Sequence, residues 1–110
     1  MTDLAARECQ PWPKGTPALN LEQANELLRE IPEWSINPDS TAIEREFRFK
    51  DFHQTMAFVN ALAWIAHQTD HHPDLEVGYS RCNVTFSTHS IGGLSDNDFI
   101  CAARINSLGE

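Results

Sequence analysis

Four of the five histidines in this 110-residue chain lie between positions 67 and 89. Two are adjacent and precede a proline, in His71-His72-Pro73, and His89 follows a polar series that ends a predicted strand. Imidazole has an ordinary pKa near neutrality, so it donates or accepts a proton at little cost. Loops at the ends of helices and strands are where catalytic groups concentrate. The spacing therefore indicates an acid–base site built on His71, His72 and His89.

Three such imidazoles suit a reaction that removes water from a carbinol, because that reaction needs two proton transfers. One group protonates the departing hydroxyl, and another takes a proton from the adjacent nitrogen. A positioned imidazole contributes about 10²–10⁴-fold to such a step. We expect His89 to share a strand face with Ser87, because residues two apart in a strand point the same way. The residues alone leave an acid–base site and a structural histidine cluster both open.

The histidines also have other possible roles. His53 is expected to be a surface or structural residue, and His67 a cation at the C-terminal end of a helix dipole. The His71-His72 pair could instead ligate a metal. Against this, no His-Glu-x-x-His motif occurs, and only Asp70 and Asp74 lie nearby as further ligands.

Asp98 can be explained without catalysis. In Ser95-Asp96-Asn97-Asp98 it lies three residues after a predicted helix N-cap, the position of the acidic partner in a capping box. A carboxylate in the first turn of a helix also interacts favourably with the helix dipole. A helix-capping role therefore has at least as much support as a role in a site.

Composition excludes several classes of function. The net charge is −8 and the eight basic residues are scattered singly, so nucleic-acid binding is not expected. No apolar run approaches the roughly 20 residues that span a membrane, and the first residues lack the layout of a signal peptide. The three cysteines, Cys9, Cys82 and Cys101, are widely spaced, and we expect Cys82 and Cys101 to be buried. These features predict a cytoplasmic protein without a disulfide framework.

The hydrophobic pattern predicts an irregular or mobile N-terminal arm over residues 1–18 and a single domain over residues 19–110. The arm contains three prolines and a glycine and lacks periodicity. Helical spacing predicts one helix from the N-cap Asn20 to Pro32, and a third from Ser95 to about Ser107. The second helix begins at Asp51 and ends near 68–70. Its predicted core stripe is Phe52, Met56, Val59, Leu62, Ala63 and Ala66.

Alternating residues predict four strands in two pairs, near residues 34–36, 41–50, 75–79 and 82–86. The order is α-β-β-α-β-β-α. We therefore predict an α+β fold, with a four-stranded antiparallel sheet covered by three helices on one face.

The histidine motif and its surroundings resemble one known family. The residues that carry the likeness are Asp70-His71-His72-Pro73, Tyr79, Ser87-Thr88-His89, Gly93-Leu94-Ser95 and Asp98. They resemble the pterin-4a-carbinolamine dehydratase family, whose pattern is an acidic, lysine or histidine residue, three residues, His-His-Pro, an aromatic, a later histidine and an aspartate. His67 occupies the first position of that pattern. The resemblance covers about residues 20–106.

The resemblance implies an activity and a set of catalytic roles. Such enzymes are hydro-lyases that dehydrate 4a-hydroxytetrahydropterin to quinonoid dihydropterin, which recycles the pterin of aromatic amino-acid hydroxylases. They use no cofactor and no metal. The resemblance implies that His71 and His89 protonate the hydroxyl and that His72 is the base or a positioning group. It also implies that Asp98 orients a histidine.

The resemblance also implies a substrate pocket and partners. Pro73, Thr88 and Ser90 are the residues expected to line the pterin pocket. A homodimer or homotetramer is expected, with an aromatic amino-acid hydroxylase in the same pathway. Because some relatives bind a transcription factor, the alternative function is a non-catalytic interaction protein that regulates a partner.

Overall fold

Seven regular elements follow one another within residues 3–109, the part of the chain that this computed structural model describes. The helices are α1 (Leu21–Leu28), α2 (Phe52–Thr69) and α3 (Asp96–Asn106), and the strands are β1 (Ser35–Ile36), β2 (Ile43–Arg48), β3 (Asp74–Val77) and β4 (Arg81–Phe86). All strand pairs are antiparallel, in the order β1-β2-β4-β3. The predicted α+β fold and order of elements are confirmed. No helix among the described residues is long and apolar enough to cross a membrane.

One face of the sheet packs against the hydrophobic core. In β4, Cys82, Val84 and Phe86 are fully buried, whereas the alternating residues are partly exposed. In β2, Glu44 and Glu46 are exposed on the opposite face. This alternation is expected for a sheet with helices on one face and solvent on the other.

Three polar residues begin the three helices as the sequence predicts. Asn20 accepts a hydrogen bond from the Gln23 amide, and Asp51 accepts one from the Gln54 amide. Ser95 precedes α3, and its hydroxyl oxygen accepts from the Asn97 amide. Each contact satisfies an amide that has no partner inside the helix.

The face of α2 that packs on the sheet differs from the predicted stripe. Leu62 is buried as predicted, but Thr55 and Phe58 are buried as well, whereas Phe52 is 50% exposed and Ala63 is exposed. The helix is apolar on more than one side, so its pattern allowed two stripes. The aromatic side chains of the sheet select between them, because Phe58 packs 4.5 Å from the Phe47 ring and 5.0 Å from the Phe49 ring.

Three other predictions about local structure were wrong. β3 ends at Val77, so Tyr79 lies in the turn to β4 and is 68% exposed rather than continuing the strand. β4 ends at Phe86, and His89 begins a short 3-10 turn, His89–Ile91. His89 therefore does not share a strand face with Ser87. Helix α1 ends at Leu28, before Pro32.

The described part of the arm, residues 3–18, lies along α3. It contains one 3-10 turn, Leu4–Ala6, and Leu4 is buried with the core residues. The Arg104 guanidinium donates to the carbonyl oxygens of Ala5 (3.1 Å) and Arg7 (2.6 Å). The arm is thus irregular in backbone but held by specific contacts. Residues 1, 2 and 110 lie outside the described part of the chain.

Replacing Phe58 tests the assignment of the buried face of α2. We expect Phe58→Ala to lower the free energy of unfolding by about 3–4 kcal/mol, because it leaves a cavity beside two other aromatic rings. The matched change Phe52→Ala, on the half-exposed face, should cost less than about 1 kcal/mol. Urea unfolding of both variants measures the difference, and equal losses would contradict the assignment.

Candidate active site

His71 is placed in the interior by the end of α2. Asp70 adopts a left-handed conformation (φ 53°), and the His71 amide donates to the carbonyl of Ala66 (3.2 Å). The imidazole is only 12% exposed and stacks on the Phe86 ring at 5.8 Å, with planes 9° apart. Its Nε2 lies 2.6 Å from Oδ1 of Asp98. His71 is therefore fixed by a ring on one side and a carboxylate at its edge.

Asp98 is fully buried and shares its two oxygens among three partners. Oδ1 faces His71, while Oδ2 accepts from the Thr88 hydroxyl (2.8 Å) and from the Ser95 amide (3.0 Å). A buried charge is costly unless it is hydrogen-bonded, and here both oxygens are. The capping position and the contact with a histidine, which the sequence leaves as alternatives, occur together.

The direction of each hydrogen bond around Asp98 follows from the donors available. The one hydroxyl hydrogen of Thr88 goes to Asp98, so in the 2.7 Å contact between Thr88 and Ser95 the Ser95 hydroxyl donates. An ionised carboxylate only accepts, so Nε2 of His71 carries a hydrogen. The proton of a neutral His71 ring therefore resides on Nε2, and Nδ1 holds the lone pair.

His72 has the opposite tautomer. Its Nδ1 lies 3.1 Å from the carbonyl oxygen of Pro73, and because a carbonyl only accepts, Nδ1 carries the hydrogen. In the neutral ring, Nε2 is then free to accept a proton. His72 is exposed, and its ring lies 6.2 Å from that of His89, nearly perpendicular to it. The two rings thus meet at the surface while His71 lies inside.

A cleft of about 360 Å³ opens between the second half of α2 and the start of β3. It is lined by Leu62, Ala63, Ala66, His67, Asp70, His71, His72, Pro73 and Leu75. Its walls are largely apolar with a few polar groups, as is usual for small-molecule sites. A hollow of about 430 Å³ beside Arg48 and Phe49 contains none of the predicted site residues, so we assign the site by its chemistry rather than by size.

The predicted site residues fall into three groups. Pro73 is buried and lines the cleft together with His71 and His72. Thr88 and Asp98 are buried behind His71, so the Thr88 hydroxyl is occupied by the carboxylate. Ser90 is exposed in the turn after His89.

Three contacts near the site were not predicted. The Ser90 hydroxyl donates to the Trp12 carbonyl (2.8 Å), which ties the arm to the turn that carries His89. The Ser95 hydroxyl and the Phe86 ring support Thr88 and His71. Ser95 was predicted only as a cap; its second role could not be seen because Thr88 reaches it through the tertiary fold.

His67 does not extend the histidine group along a helix. It lies in the last turn of α2, where its ring is 5.7 Å from that of Trp64, and the helix ends before His71. Within residues 3–109, no cluster of three or more histidine, cysteine, aspartate or glutamate side chains has a geometry that could hold a metal ion.

Comparison with known proteins identifies the class to which this fold and site belong. The family model described as pterin 4 alpha carbinolamine dehydratase matches residues 17–108. A relative from Nitrosospira multiformis that carries the family's name is 52% identical over 106 residues, 96% of this chain and 92% of the relative. The chain therefore belongs to the pterin-4-alpha-carbinolamine dehydratase family, a family of lyases. The family resemblance and the enzyme class that we predict from the sequence are both confirmed.

Two solved structures share the fold. A protein from Brucella melitensis described as a transcriptional coactivator/pterin dehydratase is 34% identical, with a TM-score of 0.81 over 84% of this chain and 99% of that chain. A pterin dehydratase-like protein described as a RuBisCO assembly factor in the alpha-carboxysome is 27% identical, with a TM-score of 0.62 over 70% of this chain and 89% of that chain.

Thr88 provides a test of the network around Asp98. Thr88→Val keeps the shape but removes one donor from the buried carboxylate and the acceptor of the Ser95 hydroxyl. We expect the free energy of unfolding to fall by about 1–3 kcal/mol. The control Thr85→Val, on the partly exposed face of β4, should change it by less than about 0.5 kcal/mol. Denaturant unfolding measures the free energy of unfolding of both variants. If Thr88→Val lowers it no more than the control does, the hydrogen-bond network around Asp98 is contradicted.

Proposed function

We propose that this chain dehydrates 4a-hydroxytetrahydropterin to quinonoid dihydropterin and water by histidine acid–base catalysis. The supporting observations are that buried Asp98 anchors His71, that His71 and His72 line one cleft, and that the ring of His89 faces that of His72. The reaction breaks the C4a–O bond and removes the N5 proton, so it needs one proton donor and one acceptor. No redox change occurs, and no cofactor is proposed.

The acid side of the reaction is assigned to His71 and His89. A carboxylate bound to one nitrogen of an imidazole holds the ring in a fixed orientation and stabilises the imidazolium form. Asp98 makes this contact with His71, which leaves Nδ1 of the charged ring as the donor toward the departing hydroxyl. His89 lies beside His72 at the surface and is the second candidate donor.

The base side is assigned to His72. Its Nδ1 hydrogen is held by the Pro73 carbonyl, so Nε2 has the lone pair that can accept the N5 proton. We propose that Pro73 forms part of the pterin pocket from its place in the cleft. Ser90 remains a proposed substrate-binding residue through its backbone groups, because its hydroxyl binds Trp12. Thr88, whose hydroxyl binds Asp98 and whose amide and carbonyl bond with Gly93, is proposed to shape the pocket from behind.

A non-catalytic interaction protein is the second candidate function. The descriptions of the two structural neighbours favour it, since one is called a coactivator as well as a dehydratase and the other an assembly factor. Against it, this chain retains all three histidines and the buried aspartate, which partner binding alone does not require. Partner capture without pterin turnover would favour this second function.

We further propose a homodimer or homotetramer in the cytoplasm, in a pathway where an aromatic amino-acid hydroxylase supplies the pterin. Among the described residues, the exposed large apolar side chains are Leu21, Phe52, Trp64, Val77 and Tyr79. Phe52 and Tyr79 stack on each other, and contiguous exposed apolar surface favours association. β3 is also an edge strand with a free side. A molar mass of one chain by light scattering would contradict the oligomer.

Removal of the imidazoles tests the proposed mechanism. We expect His72→Ala, and the double change His71→Ala with His89→Ala, each to lower kcat/KM for dehydration by about 10²–10⁴-fold, because the first removes the acceptor and the second removes both candidate donors. The measurement is the absorbance change of enzymically generated 4a-hydroxytetrahydropterin. His53→Ala, in the exposed first turn of α2, is the control and should keep full activity. Loss no greater than that of the control would exclude the mechanism.

Asp98→Asn tests whether the carboxylate sets the His71 tautomer. Two donors converge on the Oδ2 position, so the amide oxygen of the new side chain must lie there and its NH₂ must face His71. Nε2 then becomes an acceptor and the ring proton of neutral His71 moves to Nδ1. We expect kcat to fall by about 10²-fold or more while KM changes little, with an altered pH profile of kcat.

The matched control for this change is Asp96→Asn. Asp96 lies on the same helix turn and pairs with Arg7 at the partly exposed surface (2.6 Å). It should leave kcat and the pH profile unchanged. If Asp98→Asn raised KM alone, a role in orienting His71 would be wrong.

A further inference from the structure

Two thiols from distant parts of the chain lie in contact behind the site. The Sγ atoms of Cys9, in the arm, and Cys101, in α3, are 3.7 Å apart. Cys101 is fully buried, and Cys9 is partly exposed. The proposed dehydration uses neither thiol. Cys9 is therefore the member of the pair nearer to solvent, and Cys101 is enclosed directly behind it.

The arm is anchored on both sides of Cys9. Two residues before it, the Arg7 carbonyl accepts from Arg104 (2.6 Å). One residue after it, the Gln10 amide donates to Oδ1 of Asn97 (2.9 Å), and Nδ2 of Asn97 donates to the Gln10 carbonyl (2.7 Å). These contacts hold the two sulfurs together, which raises their effective concentration far above that of thiols on separate molecules.

The surroundings of the two thiols make them chemically unlike. A hydrogen bond from Cys101 lowers the pKa of Cys9 to about 7, assisted by the positive charges of His71 and Arg104 and opposed by burial and by Asp98. The same contact and burial raise the pKa of Cys101. Because the thiolate is the reactive form, Cys9 reacts first near neutral pH, and Cys101 is a protonated thiol beside it.

We propose that Cys9 and Cys101 form a peroxide-sensitive pair, in which oxidation makes a reversible disulfide that fastens the N-terminal arm to α3. The Cys9 thiolate attacks hydrogen peroxide, breaks the O–O bond and becomes a sulfenic acid, while hydroxide leaves and takes up a proton. The Cys101 thiol then passes its proton to the sulfenic hydroxyl as its sulfur bonds to the Cys9 sulfur, and the S–O bond breaks to release a second water. In total, two thiols and one peroxide give one disulfide and two waters.

Little movement is needed for this reaction. A disulfide is about 2.05 Å long, so the sulfurs must approach by roughly 1.7 Å, which requires only a local shift of Cys9 between its anchors at Arg7 and Gln10. Oxidation also removes the contact of the Cys101 thiol with the Thr69 hydroxyl (3.5 Å), two residues before His71. The modification therefore changes a contact of Thr69, next to the site, and leaves the imidazoles themselves unmodified.

Mass spectrometry of the intact chain treated with hydrogen peroxide tests the pair. We expect a loss of about 2 Da that dithiothreitol reverses, with one peptide that links Cys9 to Cys101. The oxidised chain should melt about 5–10 °C higher than the reduced chain, because the bond closes a long loop. No mass loss, a link between chains, or an unchanged Tm would overturn the proposal.

Cysteine variants separate this pair from the third thiol. Cys82→Ser changes a cysteine in β4 and should keep the 2 Da loss, whereas Cys9→Ser should abolish it. Cys101→Ala should instead leave Cys9 to gain one or two oxygens, about 16 or 32 Da. The rate at which Cys9 is alkylated should rise with pH through about 7 in the native chain, and at higher pH in Cys101→Ala. The same midpoint in both would contradict the role of Cys101.

Discussion

The structure around the site depends on the burial of one carboxylate. Asp98 is fully enclosed, and a buried charge without partners would cost several kcal/mol. Its partners come from two connecting segments: His71 lies between α2 and β3, and Thr88 and Ser95 lie near the two ends of the segment between β4 and α3. The need to satisfy this carboxylate therefore fixes these two segments relative to each other. It also fixes the orientation of the imidazole that the proposed reaction uses.

Local signals in the sequence predicted much of the fold. The residues Asn20, Asp51 and Ser95 begin their helices as predicted, because each interaction is made within three residues along the chain. The alternation of apolar and polar residues in β2 and β4 likewise predicted which side chains face the core, because this pattern is also local along the chain. By contrast, the buried face of α2 was predicted only in part. The helix is apolar on more than one side, and the Phe47 and Phe49 rings across the interface determine which side is buried.

The candidate site could be predicted only in part. His71, His72 and His89 stand out by residue type and by the His-His-Pro motif, and the family resemblance gave them a reaction. Their distinct environments could not be read from the sequence, because the partners of His71 lie 15 and 27 positions away, at Phe86 and Asp98. The contacts that hold the arm could not be predicted from the sequence for the same reason. Its polar and proline-rich residues have no periodic pattern, and its contacts are with residues about 80–100 positions later, such as Arg104.

The left-handed residue Asp70 has a consequence for repeated turnover. By ending α2 abruptly, it sends two consecutive imidazoles into different surroundings, so His71 is enclosed while His72 is in contact with water. In the proposed dehydration, the donor finishes each cycle one proton short and the acceptor one proton in excess. The enzyme must return that proton before the next substrate binds. Because donor and acceptor are chain neighbours on the boundary between interior and solvent, one or a few water molecules are enough to carry it back.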